Sequence, residues 1–411
     1  MSASPQSAAP AEPKPALRFR TGRSTNWSSI YDDVSESKET DRLTQILSGA
    51  LTTRNLLVLT GSGASRAVGG PSMTDLWENC ENLVGHTNVV KLVNHPREVG
   101  RKKDIEHLLS LCLFYLKLND QTSGPGKVVK DYQELAEASI SSLCRDFIKD
   151  GASLTPYHAL LQKLVPRRND WPRTKFFTTN YDLTLETSAE KLGMPFIDGF
   201  SFGFPRQFHG RWLDYDFVRR GKEKAGAEFL DGVFQLLKLH GSIDWEHDKT
   251  SNSVSRITST NSPHLVYPRD EKFALSYEQP FLEMISRYQA ALREPDTCLV
   301  VIGFGFNDHH LVQPIRTALL SNPSTFKVVI ADYEIEKKLA SETNCFASWK
   351  ELAACQEAGA DITFVEGSFS NFTSILPSFS DARKSDDLLL RLVKAFEPAR
   401  QSASTADSSN V

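Results

Sequence analysis

The chain is short of close cysteine pairs, of positive charge and of long apolar runs. Its six cysteines stand at 80, 112, 144, 298, 345 and 355, and no two are closer than ten residues. A zinc knuckle needs close thiolate pairs to build its tetrahedron, so none is expected. Several cysteines lie in apolar runs, as in Leu111-Cys112-Leu113 and Cys298-Leu299-Val300. They read as small buried hydrophobes in a reduced, cytoplasmic setting rather than as a disulfide scaffold. The formal net charge is −4, which does not point to nucleic acid. The short basic runs Arg101-Lys102-Lys103, Arg167-Arg168 and Arg219-Arg220 read as solvated faces. No segment has the length of a signal peptide's apolar core or of a membrane span. There is no G-x-x-x-x-G-K-[ST], no H-E-x-x-H and no G-x-S-x-G, so these routes to phosphoryl transfer, zinc proteolysis and serine hydrolysis are unsupported.

What is present is an ordinary globular composition over 411 residues, enough for one large domain with additions or for two. Residues 1–28, rich in Ala, Pro and Ser, and the Ser-rich 399–411 are expected to be flexible tails around a domain at 29–398. Asn55 to Thr60 is a short apolar run ending in Gly61, which reads as a buried strand entering a tight turn. Ala64, Ser65 and Arg66 then open a helix, and Thr74 is a possible N-cap for another. Residues 86–150 carry no strand pattern. Wide apolar faces at 104–118 and 132–148, separated by Ser123-Gly124-Pro125-Gly126, predict a helical insertion. A helix at 154–165 follows, with Thr155 as its cap and Pro156 in its first turn. Further strands are predicted at 175–179, 233–239, 297–302, 326–331 and 361–365. Further helices are predicted at 182–192, 276–292, 308–320 and 384–397. Residues 198–232 read as an excursion over the site, and 243–275 as hairpin or loop. Strands alternating with helices predict an α/β fold: a Rossmann-like parallel sheet with helices on both faces, plus the helical insertion.

Four short words sit where predicted strands stop, and strand ends of an open parallel sheet are where ligands bind. In the first, Gly61-Ser62-Gly63-Ala64-Ser65, the glycines permit close backbone approach and the following helix start offers N–H groups to a phosphate. In Thr178-Thr179-Asn180-Tyr181-Asp182, Asn180 can donate to and accept from a sugar hydroxyl or a water, while Asp182 is either a helix cap or a ligand. In Lys238-Leu239-His240-Gly241-Ser242, a strand-end imidazole neutral near pH 7 can serve as a general base. The fourth, Gly303-Phe304-Gly305-Phe306-Asn307-Asp308, is a second glycine turn suited to the adenosine half of a dinucleotide. Asn307 and Asp308 are expected to cap the next helix, and His309-His310 to lie on its surface. Asp332, at the end of the following strand, is a ribose-binding candidate that would disfavour a 2′-phosphate. His240, Asp244, Glu246, His247 and Asp248 fit no standard metal spacing and read, as a group, as polar side chains at the surface.

Taken in this order over roughly residues 50–380, these words resemble the motif set of the sirtuin-like NAD-binding family. The resemblance implies a phosphate loop at Gly61, Ser62, Gly63, Ala64 and Ser65, catalytic roles for Asn180, His240 and Asp182, and adenosine contacts from Gly303, Gly305 and Asp332. Two departures stand out. The protein deacylases of the family carry a four-cysteine zinc module, whereas this chain has no cysteine from 145 to 297. Their acidic and aromatic loop after the phosphate turn is replaced by Val68-Gly69-Gly70-Pro71-Ser72. The sequence is similar instead to the bacterial branch that hydrolyses NAD in anti-phage defence, and to its stand-alone type, which partners a HerA-like hexameric ATPase. No fused effector domain is expected after the sheet. The resemblance therefore implies NAD as substrate, no zinc, no membrane and no direct nucleic-acid binding. It also implies a homo-oligomer, a cytoplasmic location, and cleavage to nicotinamide and ADP-ribose. An NAD- or ADP-ribose-binding scaffold that assembles a partner ATPase is the alternative, with NAD-dependent deacylation behind it.

Overall fold

Residues 15–378 are described in the computed structural model, apart from 32–36, 95–102, 149–152, 169, 221–226, 249, 259–262, 266–278, 342 and 344–345. The chain opens with β1 (Leu17–Arg20), β2 (Ser28–Ile30) and α1 (Lys38–Leu51), where the Ser37 hydroxyl accepts from Thr40 N as the helix cap. β3 (Asn55–Thr60), buried at every position, runs into α2 (Ser62–Arg66) and α3 (Met73–Glu81). α4 (His86–Leu92), α5 (Ile105–Leu118) and α6 (Gly124–Asp146) form a helical block, and α7 (Thr155–Leu164) returns to the sheet. β4 (Lys175–Thr178), α8 (Thr184–Leu192) and β5 (Phe196–Ile197) follow. The excursion holds β6 (Arg206–Gln207), a 3-10 turn at Gly210–Asp214, and the hairpin of β7 (Val218–Arg220) and β8 (Ala227–Phe229). β9 (Phe234–Lys238) re-enters the main sheet before a second hairpin, β10 (Trp245–Asp248) and β11 (Ser253–Arg256). The rest alternates: α9 (Phe281–Arg293), β12 (Thr297–Ile302), α10 (His309–Ser321), β13 (Phe326–Asp332), α11 (Ile335–Ala340), α12 (Ala347–Ala358), β14 (Ile362–Gly367) and α13 (Phe369–Ile375).

The main sheet has nine strands in the order β2-β1-β14-β13-β12-β3-β4-β9-β5. From β14 to β5 every neighbouring pair is parallel, which bears out the Rossmann-like reading. After β3 the chain moves outward to β4 and on to the edge strand β5, steps back between them as β9, and then crosses to the other side of β3 as β12. The order therefore reverses between β3 and β12, and such a switch point opens a crevice at the carboxyl ends of the strands. Alternate side chains leave a strand on opposite faces. Leu57 and Leu59 of β3 join one core with Tyr288 of α9, Ile315 of α10 and Trp349 of α12. Leu56 and Val58 join the other with Leu47 of α1, Leu160 of α7 and Phe372 of α13. The helical block has its own core around Trp77, Leu108 and Tyr132, and that core extends to Tyr181, Ile243 and Leu265 beside the sheet's carboxyl edge.

Five local expectations are corrected. The N-cap position of α7 is Leu154, and Thr155 stands as the first residue of the helix. Asp244, expected at the surface, is buried. Residues 17–20, expected inside a flexible tail, form β1, which pairs antiparallel with β14; β2 pairs antiparallel with β1 in turn. Leu17, Phe19 and Ile30 are buried there, so apolar contact outweighs the disorder-prone composition. The cap of α3 is Ser72 rather than Thr74, in a capping box with Asp75. Gly124-Pro125-Gly126 forms the first turn of α6 instead of a break, because proline fits where no N–H partner is needed. Residues 1–14, the helix predicted at 384–397 and the tail at 399–411 lie outside the described residues. Among the described residues, no helix is long and apolar enough to cross a membrane.

Because Phe19 is almost wholly buried against the sheet edge, Phe19→Ala is expected to cost about 3–5 kcal/mol in chemical denaturation. A cost below about 1 kcal/mol, the range of ordinary surface substitutions, would mean that β1 is not docked in solution.

Candidate functional site

Five neighbouring strands deliver the predicted residues to one edge. β13 ends at Asp332, and β12, β3, β4 and β9 run within two residues into Gly303, Gly61, Asn180 and His240, in that spatial order. At the usual spacing of about 4.8 Å between strands, the row spans roughly 19 Å.

The two glycine turns touch backbone to backbone. A Cβ on Gly61 would lie 2.7 Å from Gly303 O, and one on Gly63 would lie 2.8 Å from Gly303 Cα. Gly303 itself has φ +59 and would drive a Cβ into Ala64 N. Gly61 N donates to Ile302 O at 3.0 Å and Gly63 N to Gly303 O at 2.9 Å. The Gly63 N–H, expected to face a phosphate, is thus spent on holding the turns together. Ser62 and Gly63 remain exposed at the rim, while Ala64 is buried. Gly305 is a different case: a Cβ there meets only the Asn307 side chain at 3.4 Å, so packing does not demand glycine. Its carbonyl accepts from Trp349 Nε1 at 3.0 Å.

Ser65 points inward, not toward the rim. Its hydroxyl donates to Asp182 Oδ2 at 2.6 Å and accepts from Asn180 Nδ2 at 2.7 Å, with the Tyr157 hydroxyl 3.2 Å away. Burial pushes the Tyr157 phenol well above its usual range, so it stays a neutral donor. Asn180 Nδ2 also donates to Gly61 O at 3.0 Å. A hydroxyl whose proton goes to a carboxylate can only accept from the amide, so the network sets the Asn180 amide with both N–H groups inward and Oδ1 as its acceptor face. Both carboxylate oxygens of Asp182 bond to the protein's own groups. Oδ2 holds Ser65, and Oδ1 accepts from Thr184 N at 3.0 Å and Thr184 Oγ1 at 2.6 Å at the start of α8.

His240 follows β9 by two residues and is buried. Leu239 N donates to Thr178 O at 2.8 Å, which keeps its loop beside the Asn180 loop. Gly241 (φ +88) lets the chain turn where a side chain would strike His264 O. The ring of His310 lies 5.7 Å from that of His240, centroid to centroid. His310 is half-buried rather than at the helix surface, and the signal that points to it is the helix start directly after a strand-end glycine turn. Asp308 occupies the N-cap of α10, with no side-chain capping bond. Asp332 sits at the far end of the row, where its carboxylate pairs with Lys338, whose ammonium also lies 4.6 Å over the Trp349 ring. Among the described residues, no group of three or more His, Cys, Asp or Glu could hold a metal ion.

Residues 174–350 match the family model of the SIR2-like domain. The matched span contains Asn180, Asp182, His240, Gly303, Gly305 and Asp332, and begins after the Gly61–Ser65 turn. No curated protein matches the chain.

Two expectations follow. Gly303→Ala places a Cβ in a left-handed backbone position against the first glycine turn, and is expected to destabilise the fold by at least about 2 kcal/mol, whereas Gly305→Ala stays within about 1 kcal/mol. Equal costs in urea titrations would contradict the packing argument. His264 is pushed down to about 4, first by burial and then by His247. The unfolded chain takes up that proton near pH 6.5, so this contribution to stability is complete above 6.5 and is lost as pH falls to about 4. Between pH 7 and pH 4 the wild type should lose roughly 3 kcal/mol more than His264→Gln; parallel curves would remove His264 from the account.

Proposed function

We propose that this chain is an NAD+ hydrolase that cleaves the nicotinamide–ribose bond. The observation that carries the reading is the pairing of Asn180 and His240 at the ends of adjacent parallel strands, beside the glycine turns at the switch point. The SIR2-like match over 174–350 supports NAD as the substrate. In this reading the pyrophosphate lies across the exposed Ser62 and Gly63 rim. The adenosine reaches toward Gly305 and Asp332, and the nicotinamide ribose sits between Asn180 and His240.

Glycosidic cleavage passes through an oxocarbenium-like state. The inward-set amide of Asn180 presents Oδ1 to a water or ribose hydroxyl near the anomeric carbon. The His240 imidazole takes the proton released as water adds. Asp182 acts through Ser65 to keep the Asn180 amide from rotating. The balance is NAD+ and water to nicotinamide, ADP-ribose and a proton. Uncontrolled NAD loss is toxic, so we infer that the activity is held silent until triggered. Regulation by a HerA-like ATPase, with NAD depletion as an anti-phage response, fits that requirement. The contact of the helical block's core with Tyr181 and Ile243 supports the block as the element through which such control acts. The same large block also favours a second reading, an NAD- or ADP-ribose-binding scaffold for the ATPase.

Purified wild type, Asn180→Ala and His240→Ala, each alone and with a HerA-like ATPase, should separate the readings. Nicotinamide release is expected from wild type only, with each variant down by about 100-fold or more at unchanged melting temperature. Binding of NAD without turnover under any condition would leave the scaffold reading in place of the hydrolase.

A further inference from the structure

Lys238 ends β9 and is almost wholly buried, two residues before His240. A lysine ammonium has three donors and no acceptor. All three find partners across the strand boundary: Tyr181 O at 3.3 Å, Asp182 O, and Glu186 Oε1 at 3.1 Å. Two of these are backbone carbonyls of the loop that carries Asn180 and Asp182; the third lies on α8. Tyr181 O further accepts from Ile243 N at 3.1 Å, so the same carbonyl is gripped from both sides of His240. Burial pushes the Glu186 carboxyl up, and Lys238 opposes that shift.

Removing a charged pair from water is costly, and well-packed apolar residues often serve stability as well or better. Leu236 and Leu237, the preceding residues of β9, are apolar and buried. A charge at 238 is therefore not what the sheet requires. Its effect lies in where its hydrogen bonds go. We propose that Lys238 is a positioning residue that locks the Asn180–Asp182 loop to the strand carrying His240, holding the amide and the imidazole at a fixed separation.

The inference rests on the hydrolase reading for its kinetic consequence, so the test has a second arm independent of turnover. Full-length Lys238→Met/Glu186→Met removes both charges and should melt close to wild type. Deuterium uptake by the backbone at 178–184 should rise, and kcat for NAD should fall by about 30-fold with KM changed by less than about 3-fold. Lys238→Arg, which keeps donors for the two carbonyls, should restore most of both. Lys238→Gln, read the same way, serves if the double variant does not fold, and should fall between the two. Wild-type exchange and wild-type kcat in a folded double or Gln variant would overturn the proposal, as would a Lys238→Arg variant no better than the double. If wild type itself turns over no NAD, the hydrolase reading fails and the exchange arm alone decides Lys238.

Discussion

The contact between two glycine turns is the constraint on which the rest of the site depends. At the switch point Gly61 and Gly63 meet Gly303 with no side chain between them. Only that approach lets Gly63 N reach Gly303 O, and it fixes where Gly61 O points. Asn180 Nδ2 hangs from Gly61 O, so the orientation of the amide is inherited from a packing event on the neighbouring strand. The dependence continues through Ser65 to Asp182 and through the Asp182 carbonyl to Lys238 and β9. Loosening the first contact would release every later one. Packing at the switch point is thus part of the chemistry of the edge.

The polar groups along this route are buried, and burial of polar atoms is tolerable only when partners are found. Here they are found in one another. Ser65 bonds to both Asn180 and Asp182, while Asn180 also donates to Gly61 O and Asp182 accepts from Thr184, so the donors of the set are fixed in direction. A second buried set stands behind it. Arg256 bridges Asp198 at 2.5 Å and Asp244 at 2.6 Å, tying the β10–β11 hairpin to the segment after β5. Asp244 lies four residues beyond His240, so the hairpin is anchored to the loop that bears the imidazole. In the proposed hydrolysis, these networks would supply, before any substrate arrives, the preorganisation that an oxocarbenium-like reaction needs.

Much of this was legible in the residues because strands and turns announce themselves locally. Asn55–Thr60 and Thr297–Ile302 are apolar runs stopped by glycine, and both are central strands. Other features were decided at long range and left little local trace. β1 is four residues inside an Ala- and Pro-rich stretch, and its partner lies about 350 positions away in β14. Local pattern cannot report such a pairing, because the apolar surface that stabilises it is on another segment. Ser65 looked like part of a phosphate turn, and its inward direction follows from Asp182, 117 residues on. His310 looked like helix surface until the turn before α10 brought it beside His240. Glycines were recognised as permissive, but the reason differed from the one expected. Gly61 and Gly63 are required by Gly303 before any phosphate needs them, and Gly305 is required by neither packing nor φ.

The helical block holds the same edge from another side. Its core is separate from the two cores of the sheet, yet it includes Tyr181, Ile243 and Leu265. Tyr181 sits between Asn180 and Asp182; Ile243 follows the His240 turn and donates its N–H to Tyr181 O. The block therefore grips the same short stretch of loop that Lys238 grips from the sheet side. A displacement of the block would pull on Tyr181 while the glycine contact holds Gly61 in place. The strain would fall on groups such as the Asn180 amide, which is bonded to Gly61 O and carried by the loop that the block grips. In the proposed hydrolase, a partner bound to the helical block would need no contact with the crevice to act on the site, since tension on Tyr181 reaches the Asn180 amide through the loop that carries both. The sheet sets the geometry of the edge, and the helices hold the loop from the other side.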